Sequence, residues 1–251
     1  MARPFCIPHF CLVAAALVVA RDAHAGPPYI TDDPEPVEHR HWEVYFASQS
    51  FRDGEGWTGT APHVEVNCGA VPNVQLHVIA PLAYAAPNDG RVTYGYGDTE
   101  LGFKFRFVQE TKWIPMIGTF PLVEAPTGDA SRGLGNGSTQ LFVPVWLQKS
   151  FGKWTTYGGV GVWIDLGDRD RHWWFFGWHL ERRLTKWLSL GAEVFHQTPP
   201  HRGDPSDTRF DVGAVIDFSD VHHLMFSIGR GIQGPNLFQS YFAYQLTFGP
   251  K

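Results

Sequence analysis

Twelve short segments with an apolar side chain at every second position constrain the fold of this chain more than any other feature. In the clearest segment Leu101, Phe103 and Phe105 alternate with the polar residues Lys104 and Arg106. Alternation with period two indicates β-strands that have one apolar and one polar face, and about 9–11 residues is the length a tilted strand needs to cross a bilayer. The segments span roughly residues 42–51, 60–68, 72–82, 98–108, 113–124, 139–148, 154–164, 172–181, 187–196, 208–218, 221–229 and 237–248.

Tryptophans recur where these segments begin. Trp113, Trp154 and Trp187 each follow a lysine after a short polar turn, and Trp42 opens the first segment directly after a histidine. A membrane–water interface selects such residues, because an indole ring has an apolar body and a polar N–H, while a lysine reaches the headgroups. We therefore interpret Trp42, Trp113, Trp154 and Trp187 as a membrane-interface belt.

The predicted connections between the segments alternate in length. The short ones are 69–71, 109–112, 149–153, 182–186 and 219–220, and the long ones are 52–59, 83–97, 125–138, 165–171, 197–207 and 230–236. Short periplasmic turns and long extracellular loops are typical of outer-membrane barrels. The pattern predicts an all-β fold, a closed antiparallel transmembrane β-barrel of about 12 strands with both termini on the periplasmic side.

The N-terminal region predicts export. Residues 1–25 combine Arg3, an apolar stretch over 10–20 and the cleavage pattern 23–25, which together are typical of a signal peptide. No other apolar stretch approaches 18 residues, so a helical inner-membrane protein is excluded. Residues 26–40 contain four prolines and predict an extended periplasmic leader, under the barrel or tucked into it. The predicted divisions are thus signal peptide 1–25, leader 26–40 and barrel 41–251.

Charge and cysteine content exclude several classes of protein. Without residues 1–25 the chain has 18 basic and 24 acidic residues, a net charge of −6, and lacks the basic stripe that nucleic acid requires. Cys68 is then the sole cysteine, so no intrachain disulfide can form. A mean hydropathy of −0.19 fits a barrel, because only alternate strand residues face lipid.

Three short motifs resemble the meta-pathway phenol-degradation family of Gram-negative outer-membrane β-barrel proteins, often labelled transporters. They are Gly26–Pro34 with Trp42-Glu43, then Gly97–Arg106, and Ala125–Gly128 before a glycine-rich loop. The resemblance implies a barrel in the cell outer membrane that passes small hydrophobic or aromatic molecules, and it brings no settled catalytic or binding residue. The last segment ends on alternating aromatics and resembles the signal that barrel-assembly machinery recognises, so we expect this machinery and outer-membrane lipid as partners.

The polar face of the predicted barrel supplies candidate lumen-lining residues, which are Glu43, Glu100, Lys104, Arg106, Glu193, Arg209, Asp211 and Asp217. They either line a conduit or fill the lumen as ion pairs, because twelve strands lie between the packed eight-stranded and the open sixteen-stranded barrels. Asp32 and Asp33 are a candidate gate that would pair with Lys104 and Arg106. The alternative for these two acids is a solvated tail.

Other functions are less well supported by the sequence. No histidine spacing matches a zinc pattern, and adjacent strand residues such as His222 and His223 point to opposite faces, so we expect no metal and no cofactor. Ser206, His196, His201 and Asp207 share one predicted loop and could serve an outer-membrane hydrolase, but no G-x-S-x-G motif is present. We therefore expect no catalytic residues and a channel or transporter for a small-molecule solute. The alternatives are a non-transporting anchor or scaffold, or a hydrolase.

Overall fold

The structure is a computed structural model that describes residues 28–167, 172–200 and 203–250. The predicted signal peptide and the first two leader residues lie outside this range. The strand segments are β1 (Trp42–Arg52), β2 (Gly56–Val71), β3 (Val74–Pro87), β4 (Thr93–Tyr96), β5 (Thr99–Val108), β6 (Met116–Thr119), β7 (Leu122–Ala125), β8 (Gln140–Phe151), β9 (Trp154–Asp165), β10 (His172–Arg183), β11 (Leu188–Gln197), β12 (Asp207–Asp217), β13 (His222–Gln233) and β14 (Phe238–Phe248). Within the described ranges no helix is long and apolar enough to span a membrane.

The strands close into a barrel. Neighbours in sequence pair antiparallel, and β1 completes the ring by pairing with β14 from Trp42 opposite Phe248 to Arg52 opposite Phe238. The segments β4 and β5 both pair with β3, while β6 and β7 both pair with β5 and with β8. Each of these two pairs of segments is one interrupted barrel strand, so the described residues form twelve strands. The predicted class and strand number are confirmed.

Proline explains why one predicted strand is interrupted. The segment predicted over 113–124 begins only at Met116, after Pro115, and it breaks at Phe120 and Pro121 between β6 and β7. A proline has no backbone N–H to donate to a neighbouring strand, so pairing stops at these positions.

The predicted alternation of connection lengths is wrong in three places, and the third is 234–237, a four-residue turn where a long loop was expected over 230–236. The connection 53–55 is a three-residue turn where a long loop was expected, and 109–115 has seven residues where a short turn was expected. The first difference arises because β2 begins at Gly56 and, at 16 residues, is longer than a membrane crossing needs, so it absorbs most of the predicted loop. The second arises because Pro115 delays the start of β6.

Apolar side chains cover the outside of the barrel. Phe46 is 49% exposed and Val212 47% exposed, whereas the inward residues Glu43 and Lys104 are 2% and 1% exposed. This is the reverse of a water-soluble protein, and it is the arrangement expected where lipid covers the outer wall.

The predicted belt tryptophans all lie at one end of the barrel. This end carries the start of β1, the end of β14 and the connections 72–73, 109–115, 152–153, 184–187 and 218–221, and we call it the terminal end; the opposite end is the loop end. Trp113 is 83% exposed and has the Lys112 ammonium 4.8 Å from its ring centre. The Arg182 guanidinium lies 5.0 Å from the ring centre of Trp154.

The barrel interior is packed. One cluster of buried side chains consists of Tyr45, Ala47, Val215, Met225 and Ala243, and a second consists of Phe120, Phe142, Trp146, Phe175 and Phe195. Both clusters lie on inward positions of the strands. An eight-stranded barrel fills its interior in this way, whereas sixteen strands leave a channel, so this twelve-stranded barrel is filled like the smaller class.

Candidate site in the barrel interior

The leader, residues 28–40 of the described chain, runs through the interior of the barrel. Close to β1 it is tied to β2, where the Arg40 amide donates to the Gly69 carbonyl over 2.7 Å. Further along, the Val37 amide donates to Gln75 of β3 over 2.9 Å, and Ser227 of β13 donates to the Pro28 carbonyl. The leader therefore enters from the terminal end and runs through the lumen to the middle of β13.

Glu193 of β11 anchors the far part of the leader. One carboxylate oxygen accepts the Ile30 amide over 2.8 Å, and the other accepts the Thr31 amide over 2.7 Å. The cross-strand partner of Glu193, Asp211, accepts from Gln239. A buried amide donor left without an acceptor is costly, so the two bonds to Glu193 hold the leader to the wall. Glu193 thus fixes two consecutive leader residues to the wall.

Lys104 of β5 holds the middle of the leader. Its ammonium lies 2.9 Å from an Asp32 oxygen and 3.4 Å from an Asp33 oxygen, and it also lies 5.1 Å from the centre of the Phe120 ring. Lys104 is 1% exposed, and Asp32 and Asp33 are the acids that lie beside its buried charge.

Arg106 contacts a different acid from the one the sequence suggested. Its guanidinium lies 3.8 Å from Glu35 and donates to the Asn73 side chain over 2.9 Å, and neither Asp32 nor Asp33 is its partner among the described contacts. Glu35 also accepts from Gln148 of β8 over 2.9 Å. The reason lies in the leader, which advances along the lumen and presents successive acids to successive wall residues.

Burial changes the acidity of the leader. It raises the pKa of Asp33 to about 7, with Asp32 and Glu35 adding to the rise and Lys104 opposing it. Desolvation disfavours the ionised carboxyl, and the two neighbouring acids repel it.

Glycines make room for the leader on the wall. A Cβ atom at Gly177 of β10 would overlap the Thr31 hydroxyl, and a Cβ atom at Gly191 of β11 would lie 2.6 Å from the Tyr29 hydroxyl. On the opposite side of the leader, a Cβ atom at Gly118 of β6 would lie 2.9 Å from the Pro34 ring. The absence of side chains at these inward positions allows backbone-to-backbone approach.

Aromatic rings line the wall between the leader and the loop end. Trp163 stacks on Trp173 with ring centres 5.8 Å apart and on Phe142 with ring centres 4.7 Å apart. Phe175 continues the series, with its ring centre 5.9 Å from that of Trp146 and 5.7 Å from that of Phe195. We call the set Phe142, Trp146, Trp163, Trp173, Phe175 and Phe195 the aromatic wall. It spans β8 to β11 and reaches the leader at Ile30.

The remaining predicted lumen residues also lie on the inner face, each with a partner. Tyr45 donates to Glu43 over 2.6 Å, Glu100 contacts His77 at 2.8 Å, and Asp217 contacts His223 at 2.9 Å. Arg209 pairs with Asp207, and its guanidinium lies between Phe51 and Phe195, 5.6 Å and 5.7 Å from their ring centres. These residues fill the interior as paired groups in the state described.

Several interior residues were not predicted from the sequence. Gln75, Gln148, Tyr157 and His179 face the leader, yet they do not stand out in the sequence because polar uncharged residues and aromatics occur on both faces of such strands. Strand parity could have found them, because every second residue of a strand faces the same side as Lys104 or Glu193 does on its own strand. What parity could not supply is which residues meet across the lumen.

Two of the motifs behind the family resemblance contact each other. The Asp98 carboxylate accepts the Gly128 amide over 2.9 Å and the Asn136 amide over 2.5 Å. The Thr127 hydroxyl donates to the Gly97 carbonyl over 2.8 Å. Asp98 therefore pins the connection 126–139 to the break between β4 and β5 at the loop end.

The candidate hydrolase residues are not brought together in the described part of the chain. His196 contacts the outward Thr208 at 2.8 Å, whereas Asp207 is buried on the inner face with Arg209. Ser206 follows the part of this connection that includes His201, which lies outside the described residues. Across the described ranges no three His, Cys, Asp or Glu side chains converge as metal ligands.

Comparison with known proteins identifies the fold. No protein-family model and no curated protein matches the sequence. The crystal structure of an outer membrane channel from Pseudomonas putida F1 matches with a TM-score of 0.67 at 16% identity, covering 90% of this chain and 100% of that one. The KdgM porin matches with a TM-score of 0.56 at 7% identity, covering 83% of this chain and 99% of that one. The NanC porin matches with a TM-score of 0.55 at 6% identity, covering 84% of this chain and 100% of that one. The chain therefore has the fold of outer-membrane β-barrel channels and porins.

Proposed function

We propose that this protein is an outer-membrane channel for small hydrophobic or aromatic solutes whose leader closes the lumen and must move for solute to pass. The terminal end faces the periplasm in this proposal, and the loop end faces outward. Membership in the meta-pathway phenol-degradation family is part of the proposal, supported by the three motifs and by the shared fold.

The observation that carries the proposal is that the leader fills the lumen without being part of the wall. The ring of strands closes through β1 and β14, and no strand pairs with residues 28–40. Residues 28–37 of the leader are held by side-chain contacts from β3, β5, β8, β11 and β13, all of which can be broken while the barrel hydrogen bonds stay intact. A segment attached in this manner acts as a removable plug.

The aromatic wall supports the choice of solute. Stacked and edge-on ring pairs stabilise one another by about 0.5–1.5 kcal/mol beyond simple burial, so an aromatic solute gains the same contacts along this wall. Polar solutes gain nothing comparable from Trp163, Trp173 or Phe142.

The alternatives predict different behaviour. An anchor or scaffold would remain impermeable whether or not its leader is present. A rim hydrolase would need His196 and Asp207 on the same face, but in the described structure they point to opposite faces.

The test is solute flux through vesicles that contain the purified mature protein, compared with a variant that lacks residues 28–38. We expect the deletion to raise the flux of a small aromatic acid at least tenfold, while faster migration of the unboiled protein on a denaturing gel shows that the barrel is intact. A folded deletion variant that stays impermeable would contradict the proposal and favour an anchor.

A further inference from the structure

The side chain of Tyr29 fills a niche in the wall at mid-height. Its ring centre lies 4.2 Å from that of His179 on β10, and on the other side His179 stacks on Tyr157 of β9, also at 4.2 Å. The Tyr29 hydroxyl lies against the backbone of Gly191 and close to its cross-strand partner Gly213, where a Cβ atom would be 2.9 Å away. We call the four wall residues Tyr157, His179, Gly191 and Gly213 the ring niche.

The ring niche contains polar groups that the wall itself leaves unpaired. His179 is 0% exposed, and neither of its ring nitrogens has a hydrogen-bond partner within the described structure. The hydroxyl of Tyr157, which is 6% exposed, also lacks one there. Buried polar groups without partners are rare in folded proteins, and they commonly mark a place where a ligand or water binds.

The shape of the niche selects a flat ring. Both faces available to an occupant are aromatic or bare backbone, because Gly191 and Gly213 carry no side chains and His179 presents its ring. A six-membered aromatic ring already sits there as part of Tyr29, with its hydroxyl directed at the wall. The Tyr29 ring is tilted by 46° against His179, and its hydroxyl has no hydrogen-bond partner in the described structure. A free ring with a hydroxyl can pack on His179 in the same way, and because it is not tethered it can turn its hydroxyl to the unpaired groups.

Tyr29 belongs to the leader, whereas the four residues of the ring niche belong to the barrel strands. We propose that the ring niche is a binding site for one small hydroxylated aromatic molecule, that Tyr29 fills it as an internal ligand, and that such a molecule releases the leader by taking its place. This inference rests on the proposed function in that the leader is the plug. It adds a site, a ligand class and a means of opening.

Competition with a tethered side chain sets the concentration at which the ligand acts. A group on a short linker has an effective concentration in the millimolar range, so a free ligand of equal affinity must reach similar concentrations. Ligand binding and leader release are then linked, because the ligand binds only to the state in which Tyr29 has left.

The first arm of the test measures binding of 4-fluorophenol by fluorine NMR to the purified mature protein in detergent. Removing the internal competitor with Tyr29→Ala should lower the dissociation constant at least tenfold, and adding His179→Ala to that variant should reverse the gain. Cyclohexanol, which has the hydroxyl and the size but no aromatic face, should compete poorly. Tyr45→Ala is the matched control, because it removes a buried tyrosine from the interior wall away from the niche.

The second arm measures hydrogen exchange of the leader amides in the wild-type protein. Millimolar 4-fluorophenol should accelerate exchange at Ile30 and Thr31, whose amides are held by Glu193, while cyclohexanol at the same concentration should not. Equal binding by the wild type and Tyr29→Ala, equal binding by Tyr45→Ala and Tyr29→Ala, or unchanged leader exchange would each overturn the inference. Neither arm measures flux, so the two proposals can fail separately. If an impermeable barrel binds 4-fluorophenol in the niche, only the proposed function is contradicted. If the barrel passes solute but does not bind 4-fluorophenol, only the ring niche is contradicted.

Discussion

Glu193 shows how a single carboxylate can hold a segment that is not part of the barrel wall. It accepts the amides of Ile30 and Thr31, one on each oxygen. Glu193→Gln replaces one acceptor by an NH₂ group that faces an amide donor. Because a buried donor left without an acceptor costs about 1–3 kcal/mol, we expect leader docking to weaken by about 5- to 150-fold. Hydrogen exchange of residues 28–40 measures this change.

The control for this variant is Glu124→Gln, which removes an inward carboxylate near the loop end that accepts from Asn136 and not from the leader. Leader exchange should not change in this control. If both variants release the leader to the same extent, the effect comes from lost lumen charge and not from the Glu193 hydrogen bonds.

Val212 tests the assignment of strand faces. It lies on the outside of β12 near the middle of the strand, and Thr208 lies on the same face near the loop end. An arginine at the bilayer midplane costs about 2–4 kcal/mol, and one near the interface costs about 0–1 kcal/mol. Refolding into lipid vesicles across a urea series should therefore show a large loss of stability for Val212→Arg and a small loss for Thr208→Arg. Equal losses would mean that the outer face does not contact lipid in this register.

The sequence predicts which face of a strand a residue occupies, but not which residues contact each other across the lumen. Alternation along a strand fixes the face, so strand parity alone assigns Lys104, Glu193 and Arg209 to the interior. Partners across the lumen could not be assigned, because they depend on barrel closure and on the path of the leader. Arg106 illustrates this limit, since its acid partner is Glu35 and not Asp32 or Asp33.

The leader is the element whose behaviour should depend on pH. The pKa of Asp33 is about 7 in the lumen because of burial and of its neighbours Asp32 and Glu35, whereas the same carboxyl in a released leader has its ordinary value of about 4. Lys104 faces it as the opposing cation, and the Tyr157 ring lies near it on β9. The docked state therefore holds a proton that the released state gives up between these two values.

The direction in which leader docking depends on pH follows from this bound proton. Docking is most favourable below about pH 4, weakens as pH rises to about 7 by up to tenfold per unit, and changes little above that. Exchange of the leader amides, corrected for the intrinsic pH dependence of exchange, should show more release at pH 8 than at pH 5. Asp33→Asn should remove this difference. Tighter docking at pH 8 would show that the pair with Lys104 outweighs burial.

The strands themselves were the best-predicted elements. All twelve were expected near their observed positions, because each is long enough for its alternation to stand out. The errors concern ends and breaks. The turn 53–55 is shorter than expected because β2 begins before the apolar stretch of its segment. The break at Pro121 was not expected because that segment is apolar on both faces.

The whole molecule consists of a barrel wall whose fold follows from the sequence pattern and a leader whose position does not. The wall closes by backbone hydrogen bonds and an apolar exterior, features that period-two alternation encodes directly. The plug depends on contacts between residues far apart in sequence, such as Ile30 with Glu193, and on wall glycines such as Gly177. The architecture could thus be predicted from the sequence, whereas the path of the leader through the lumen could not, because it depends on three-dimensional contacts.

A disulfide that locks the leader to the wall asks directly whether the leader is a removable plug. Thr31 and Gly177 are suited to it, since a Cβ atom at Gly177 would overlap the Thr31 hydroxyl and two cysteines there lie within bonding reach. The variant is Thr31→Cys with Gly177→Cys, in a background where Cys68 is replaced by serine so that no other thiol remains in residues 26–251. Single-channel conductance in a planar bilayer is measured before and after reduction, with the crosslink verified by mass spectrometry. If the leader is a removable plug, the oxidised protein stays closed, and reduction restores the frequency of channel openings seen in the Cys68→Ser parent. Equal conductance in the oxidised and reduced states would contradict this account.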